Sequence, residues 1–144
     1  WDLSLDSSGR SYLNLTDGVQ LIIEQGPEPE TFTLFSIIAK ICANQKATLF
    51  PKFLESNLFR KRTGKSNLGY DKESQSLILF QTFNEPLCTA LTLYDDISLF
   101  IAYLIFWKKE IKNDEKELYD SEIHVIDEHI SALIGKRKKE VFFA

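Results

Sequence analysis

The stretch VQLIIEQGPEPETFTLFSIIA, residues 19–39, decides the fold, because two strand-like segments flank a proline-rich break. Apolar and polar residues alternate over 19–25, which is typical of a half-buried β-strand. The prolines at 27 and 29 have no N–H to donate to a continuous ladder, so 26–29 is predicted to be a solvent loop before a strand at 31–39. Turn residues at 6–9 and 16–18 add a strand at 12–15. The first third of the chain therefore predicts a three-stranded antiparallel meander.

The strand at 31–39 is apolar on both of its faces. Successive side chains of a strand point to opposite sides of the sheet, so Phe32, Leu34 and Ile38 share one side, and Phe35 and Ile37 share the other. Ile22, on the polar-rich side of the preceding strand, extends the second set. One set must form the core, and the other needs a further partner.

After residue 46 the spacing of the apolar residues becomes typical of an α-helix. The stripe over 47–59 consists of Leu49, Phe50, Phe53, Leu54 and Leu58. A second hairpin follows at 68–71 and 76–81, again with apolar residues on both faces. Asp95 or Asp96 is a natural N-cap for a long helix with apolar stripes on two sides.

The end of the chain is predicted to form a separate element. Residues 113–116 form a charged linker, and 122–139 carry Ile123, Ile126, Ile130, Leu133 and Ile134 at helical spacing. The prediction is an α+β fold in which a twisted antiparallel sheet, a three-stranded meander plus a hairpin, packs with helices. The domain covers 1–112, and a C-terminal helical extension covers 113–144.

Composition narrows the classes of function. A chain of 144 residues with 44% hydrophobic residues suits one folded domain. Its net charge of -4 argues against nucleic acid as a partner. The longest apolar run, 99–107, has nine residues, well short of the roughly 20 that span a bilayer, so stable membrane insertion is not expected.

Motifs for catalysis or metal binding do not fit their required patterns. Thr63-Gly64-Lys65-Ser66 resembles the end of a phosphate-binding loop, but Phe59 stands where that loop requires glycine. His124 and His129 are five residues apart, whereas a helical two-histidine site uses a spacing of four. The basic runs at 60–62 and 136–139 are interpreted as a solvated loop and a helix C-terminus. We therefore expect no enzymatic activity, no metal site and no cofactor.

Three segments together resemble the signature of the class I type III secretion chaperones, the Tir-chaperone family. They are Leu54-Glu55-Ser56-Asn57-Leu58-Phe59, then Asn67-Leu68-Gly69-Tyr70-Asp71, then Leu77-Ile78-Leu79. In that family a helix ending in Leu-Glu-Ala-Asn-Leu-Phe precedes a Leu-Gly strand, a short acidic turn and a Leu-x-Leu strand. The likeness runs in order from about residue 3 to residue 111, and the tail beyond it is longer than is usual in the family.

The resemblance implies a non-catalytic homodimer of the bacterial cytoplasm that acts in virulence. Its partner would be the N-terminal chaperone-binding region of one or more secreted effectors, kept extended and competent for secretion. The secretion-system ATPase or sorting platform is a further expected partner. Expected client-binding residues are Ile22, Phe32, Leu34, Phe35 and Ile37, and the expected dimer interface is Leu49, Phe53, Leu54 and Leu58.

Two other functions stay open at this point. One is a structural or adaptor component of a secretion apparatus with a folded partner, and the other is a small enzyme with an unrecognised site. Elongated apolar strips would indicate a chaperone, one compact patch an adaptor, and a deep pocket with converging polar groups an enzyme.

Overall fold

The structure is a computed structural model that describes the backbone of residues 4–143 and the side chains of residues 4–117 and 124. Within that part the chain forms five β-strands and two α-helices. The strands are β1 (Arg10–Asn14), β2 (Gln20–Gln25), β3 (Thr31–Lys40), β4 (Asn67–Asp71) and β5 (Ser76–Asn84). The helices are α1 (Lys46–Asn57) and α2 (Ala90–Phe143).

All five strands belong to one antiparallel sheet with the order β1-β2-β3-β5-β4. The meander and the second hairpin are both present, and β3 joins them by pairing with β5, from Thr31 opposite Asn84 to Lys40 opposite Ser76. A register shift between Ile37 and Ala39 marks a bulge in β3. The predicted α+β class and its sheet are confirmed.

The hydrophobic core lies on one side of the sheet. Leu21, Leu34 and Leu79 point to this side, and each is at most 1% exposed. Phe100, Leu104 and Trp107 of α2 are equally buried. Phe53 of α1 contacts the Trp107 ring edge-on, with ring centroids 5.7 Å apart. Both helices therefore cover the same face.

The long helix α2 begins earlier than the sequence predicted. Thr89 is its N-cap, because the Thr89 hydroxyl accepts a hydrogen bond from the Thr92 N–H, and the Thr92 hydroxyl accepts one from the Thr89 N–H. Asp95 and Asp96 lie within the second turn of the helix, so their assignment as N-caps was wrong. The predicted linker at 113–116 is also helical, since Asn113, Asp114, Glu115 and Lys116 include no proline or glycine to end a helix.

The first half of α2 has the length and composition of a membrane-spanning helix and also contributes residues to the core. Residues Ala90–Glu117 are long and apolar enough to cross a membrane by length and composition. Counting uninterrupted apolar residues missed this, because a longer window that contains a few charged residues can still have a high mean hydropathy. Phe100, Leu104 and Trp107 of this half pack in the core of the domain, although only 17% of the apolar window is buried.

The chain divides into two compact units, Trp1–Lys108 and Lys109–Ala144. The first contains the whole sheet, α1 and the start of α2. The apolar side chains predicted over 122–139 lie outside the described side chains, and a domain boundary at 112/113 stays a prediction.

Candidate functional site

The face of the sheet opposite the helices presents a continuous row of side chains across all five strands. Strand register places Tyr12 opposite Ile22, Ile22 opposite Phe35, Phe35 opposite Phe80, and Phe80 opposite Asn67. Because directly opposed side chains in an antiparallel pair are close neighbours, the four apolar members form one strip. We call this side of the sheet the open face.

A second, shorter row widens the strip. Ile37 of β3 lies opposite Ile78 of β5, and Ile78 lies opposite Gly69 of β4. Gly69 leaves room for the Phe80 ring, because a Cβ at position 69 would lie only 3.2 Å from that ring. The apolar patch of the open face thus consists of Tyr12, Ile22, Phe35, Ile37, Ile78 and Phe80.

Polar side chains border the patch on one side. The Arg10 Nε donates to Glu24 Oε2 at 2.9 Å, and the Thr33 and Thr82 hydroxyls are 3.1 Å apart. The hydrogen bond to Glu24 raises the pKa of the Arg10 guanidinium, which therefore stays positively charged. This guanidinium also lies 5.7 Å from the centroid of the Phe35 ring. An ion pair between Arg10 and Glu24 therefore borders the apolar strip beside Phe35.

Of the two predicted sets, the structure places Ile22, Phe35 and Ile37 on the open face. Ile37 is 45% exposed and Phe35 is half-buried. Ile22 is only 7% exposed, because Tyr12 and Phe35 flank it on the neighbouring strands. Ile22 is therefore the floor of the patch, and the residues around it form its surface.

Two predicted client-binding residues point to the helix-covered side instead. Leu34 is 1% exposed and belongs to the core, which corrects its assignment as a client-binding residue. Phe32 points the same way, half-buried and stacked on Phe83 with ring centroids 4.9 Å apart. The alternation of β3 separated the two sets correctly, but it did not indicate which side the helices cover.

Sequence reasoning did not assign Tyr12, Ile78 and Phe80 to the site. The alternation of β5 placed Ile78 and Phe80 together on one face, but their alignment with Phe35 depends on the pairing of β3 with β5. That pairing skips β4, so the order of strands along the chain does not reveal it.

The two outer edges of the sheet differ. On β4, the Asn57 side chain of α1 accepts a hydrogen bond from the Leu68 N–H at 2.8 Å and donates one to the Leu68 carbonyl at 2.9 Å. This amide occupies the position of a neighbouring strand. The Phe50 ring of α1 also packs on Tyr70, with centroids 4.9 Å apart. α1 therefore protects the β4 edge.

The β1 edge is protected only at its start. The Asp6 carboxylate accepts a hydrogen bond from the Arg10 N–H at 3.0 Å, and the Arg10 carbonyl accepts one from the Asp6 N–H at 2.7 Å. Backbone groups of alternate residues point the same way, so those of Tyr12 and Asn14 also point away from β2. Within the described part of the chain no backbone group bonds to them. This edge is open directly beside the apolar patch.

The predicted dimer residues also divide into two groups. Leu49 and Phe53 are 1% and 5% exposed, so they belong to the core of the single chain, which corrects their assignment to an interface. Leu54 and Leu58 are 71% and 52% exposed, and the adjacent Phe59 is 83% exposed. One side of α1 therefore packs in the core, and the other side exposes apolar residues.

Comparison with known proteins gives a family and a fold. Residues 1–108 match the model of the Tir chaperone protein (CesT) family. A search of curated proteins finds no match to the sequence.

Several solved structures have the same fold. The HopA1–SchA chaperone–effector complex has a chain with a TM-score of 0.62 and 16% identity, covering 74% of this chain and 80% of that one. A chain of the ExsC–ExsE complex has a TM-score of 0.61 and 17% identity, over 74% and 79%. The Yersinia pestis type III secretion chaperone SycH, in complex with a fragment of YscM2, gives 0.57 and 14%, over 74% and 86%.

Proposed function

Because this chain belongs to the Tir chaperone protein (CesT) family, we propose that its open face holds the N-terminal chaperone-binding region of one or more type III secreted effectors. The observation that supports this site is the apolar row across all five strands, on the side of the sheet opposite α1 and the 90–108 part of α2. A polypeptide kept extended can follow such a row and bury its own apolar side chains against it.

The open edge of β1 supplies the second half of the binding mode. A client strand laid beside β1 can bond to the outward backbone groups of Tyr12 and Asn14. Alternate side chains of that strand then fall on the open face next to Tyr12, at the end of the apolar row. Main-chain bonds hold the client extended, and the apolar patch selects its side chains.

The shape of the patch favours a chaperone over an adaptor. An adaptor with a folded partner needs one compact patch, whereas this one extends from β1 to β5 as a strip. We propose that the protein acts by binding and without catalysis, because the strip consists of hydrocarbon and aromatic groups, and the charged Arg10 and Glu24 at its border pair with each other.

We also propose a homodimer in the bacterial cytoplasm, with Leu54 and Leu58 in its interface and the secretion-system ATPase or sorting platform as a later partner. The support is the exposure of both leucines on a helix whose opposite side is core. Sedimentation equilibrium at micromolar concentration tests this: wild type should be a dimer, and Leu54→Lys should be a folded monomer. A wild-type monomer contradicts the dimer.

The client site is tested in two steps. Co-expression with candidate effectors and pull-down identifies the client, and titration calorimetry with its N-terminal segment gives the Kd. Ile37→Asp should abolish retention of the client and leave the dimer intact. Retention of the client by this variant at wild-type affinity would contradict the proposal.

A further inference from the structure

The outer edge of β1 lacks the features that keep natural edge strands from pairing with a second copy. Residues 11–15 read Ser-Tyr-Leu-Asn-Leu, with no charged residue and no proline. Charges, prolines, bulges or a covering segment protect most exposed edges. β1 pairs with β2 in a regular register without a bulge, and among the described residues nothing beside Tyr12 and Asn14 corresponds to the cover that Asn57 gives to β4. This edge is therefore suited to pairing with another strand.

The length of edge available for pairing is limited at both ends. The Asp6 main chain and carboxylate bond to the backbone of Arg10 and occupy the place of a neighbouring strand there. At the other end the chain leaves the strand in the turn Thr16–Gly18. Within the described part of the chain, Tyr12 and Asn14 are therefore the β1 residues whose outward backbone groups stay available.

These limits leave one antiparallel register in which two copies related by a twofold axis use all of the available groups. With Tyr12 opposite the partner's Tyr12, Asn14 would meet the partner's Arg10, whose groups are already bonded to Asp6. With Asn14 opposite the partner's Asn14, Tyr12 would face a residue of the turn. With Tyr12 opposite the partner's Asn14, each pair exchanges both N–H···O bonds, and Leu13 lies on the axis.

The side chains are compatible with this register. Leu13, which lies opposite the core residue Leu21 of β2, would face the partner's Leu13 in a close, non-hydrogen-bonded pair. Tyr12 would lie beside the partner's Asn14, and directly opposed residues share one face of a sheet. The open faces of the two copies would therefore lie on the same side of one continuous sheet. No charge within 11–15 opposes this contact.

We propose that two client-free copies pair antiparallel through their β1 edges, with Tyr12 opposite the partner's Asn14. The pairing follows from the geometry of β1 and does not depend on client binding. Because the contact is short, we expect it at concentrations on the order of 100 µM, above those of the contact through α1. A client strand beside β1 needs the same outward groups, so client and second copy exclude each other. This last consequence rests on the proposed function.

Disulfide trapping tests the register. Both variants are made in the full chain with Cys42 and Cys88, its two cysteines, replaced by serine. Leu13→Cys should form a covalent dimer on mild oxidation, because the paired Cα atoms would be about 4.5 Å apart, within reach of a disulfide. Leu15→Cys is the matched control, since Leu15 is likewise half-buried but its two copies would be about 14 Å apart. On a non-reducing gel we expect at least about tenfold more covalent dimer for Leu13→Cys.

A charge placed on the edge tests the contact without cysteines. Asn14→Lys puts a lysine on the outer strand, whereas Gln20→Lys puts it directly opposite on β2, one strand further in. Both variants lose the same hydrogen bond between the two side chains, so they differ in the position of the charge. In sedimentation velocity at rising concentration, Asn14→Lys should weaken association through the edge at least about tenfold, and Gln20→Lys should not. Thermal melts establish that all variants are folded.

Two outcomes would overturn the pairing. One is as much covalent dimer from Leu15→Cys as from Leu13→Cys, which would indicate random collision. The other is equal association of Asn14→Lys and Gln20→Lys. Either result leaves the client site untouched, because that site is tested by Ile37→Asp and client pull-down. Finally, the client segment identified by pull-down should lower the yield of the Leu13→Cys dimer. An unchanged yield at saturating client would show that the client does not use this edge, while the pairing itself would stand.

Discussion

The substitution Ile37→Asp separates client binding from folding. Ile37 lies on the open face with 45% of its surface exposed, so a bound client removes that remaining part from water. Burying a whole isoleucine side chain contributes about 1.5–3 kcal/mol, so the exposed part contributes about 1 kcal/mol. An aspartate stranded in the apolar contact costs about 1–3 kcal/mol more. The Kd for client should therefore rise about 30- to 1,000-fold.

The same substitution should hardly affect stability. No core contact is lost, and the lower strand propensity of aspartate costs at most about 1 kcal/mol, a few degrees in Tm. By contrast, Leu34→Asp, three residues earlier in β3 and at a position that is only 1% exposed, places a carboxylate in the core. That costs several kcal/mol against a total stability of about 5–15 kcal/mol, so this variant should unfold.

A matched control removes the effect of lost surface hydrophobicity. Ile105→Asp makes the identical change on the outer side of α2, where the isoleucine is 55% exposed. Calorimetric titration with the client segment, together with thermal melts, compares all variants. If Ile37→Asp and Ile105→Asp weaken client binding equally, or if Ile37→Asp unfolds the domain, the assignment of the open face is wrong.

Three further predictions test individual contacts. Asn57→Ala removes both hydrogen bonds to the β4 edge, so urea denaturation should show a free energy of unfolding lower by about 1–3 kcal/mol. Light scattering should show more aggregation, because the edge is then exposed. No change in either measurement would contradict the protective role of Asn57. Gly64 and Gly18 both have a positive φ, but a Cβ at Gly64 would also clash with the Tyr103 ring, whereas the space around Gly18 is open. In the same denaturation assay, Gly64→Ala should therefore lower the free energy of unfolding more than Gly18→Ala. A hydrogen bond from the Ser8 hydroxyl holds the pKa of the Asp6 carboxyl group below its ordinary value of 3.8. The resulting stabilisation is present above about pH 4 and is lost as pH falls through the lowered pKa, and substitution of that serine by alanine should raise the pKa of Asp6 in an NMR titration.

The sequence predicted the elements well, because their signals are local. The alternation in β3 and the break at 26–29 depend on residues next to one another, and both hairpins appear where turn residues occur. The start of α2 was misplaced because Asp95 and Asp96 are better N-caps by residue type than Thr89. The reciprocal bonds between Thr89 and Thr92 decide the start, and they exist only once both residues are positioned.

The client-binding site was predicted only in part, because some of the contacts that form it are distant in sequence. Alternation showed that β3 has two apolar faces, but the choice between them depends on where α1 and α2 pack, which is set by contacts distant in sequence. The Trp107 contact with Phe53 is one such contact. The anchoring of the loop 58–66 to α2 was not predicted, because the basic run 60–62 has the composition of a solvated loop and is exposed. Its anchors to Tyr103, Trp107 and Asp96 are about 30–45 residues away along the chain.

The pairing of β3 with β5 determines when the open face comes into being during folding. The meander is local and can form early, but Phe80 and Ile78 reach Phe35 and Ile37 only after a loop of about 40 residues has closed, at an entropic cost of about 3 kcal/mol. Non-local pairings of this kind slow folding. A nascent chain that ends before β5 therefore presents only the Tyr12, Ile22 and Phe35 end of the row. The complete row is consequently available to a client only after synthesis has passed residue 84.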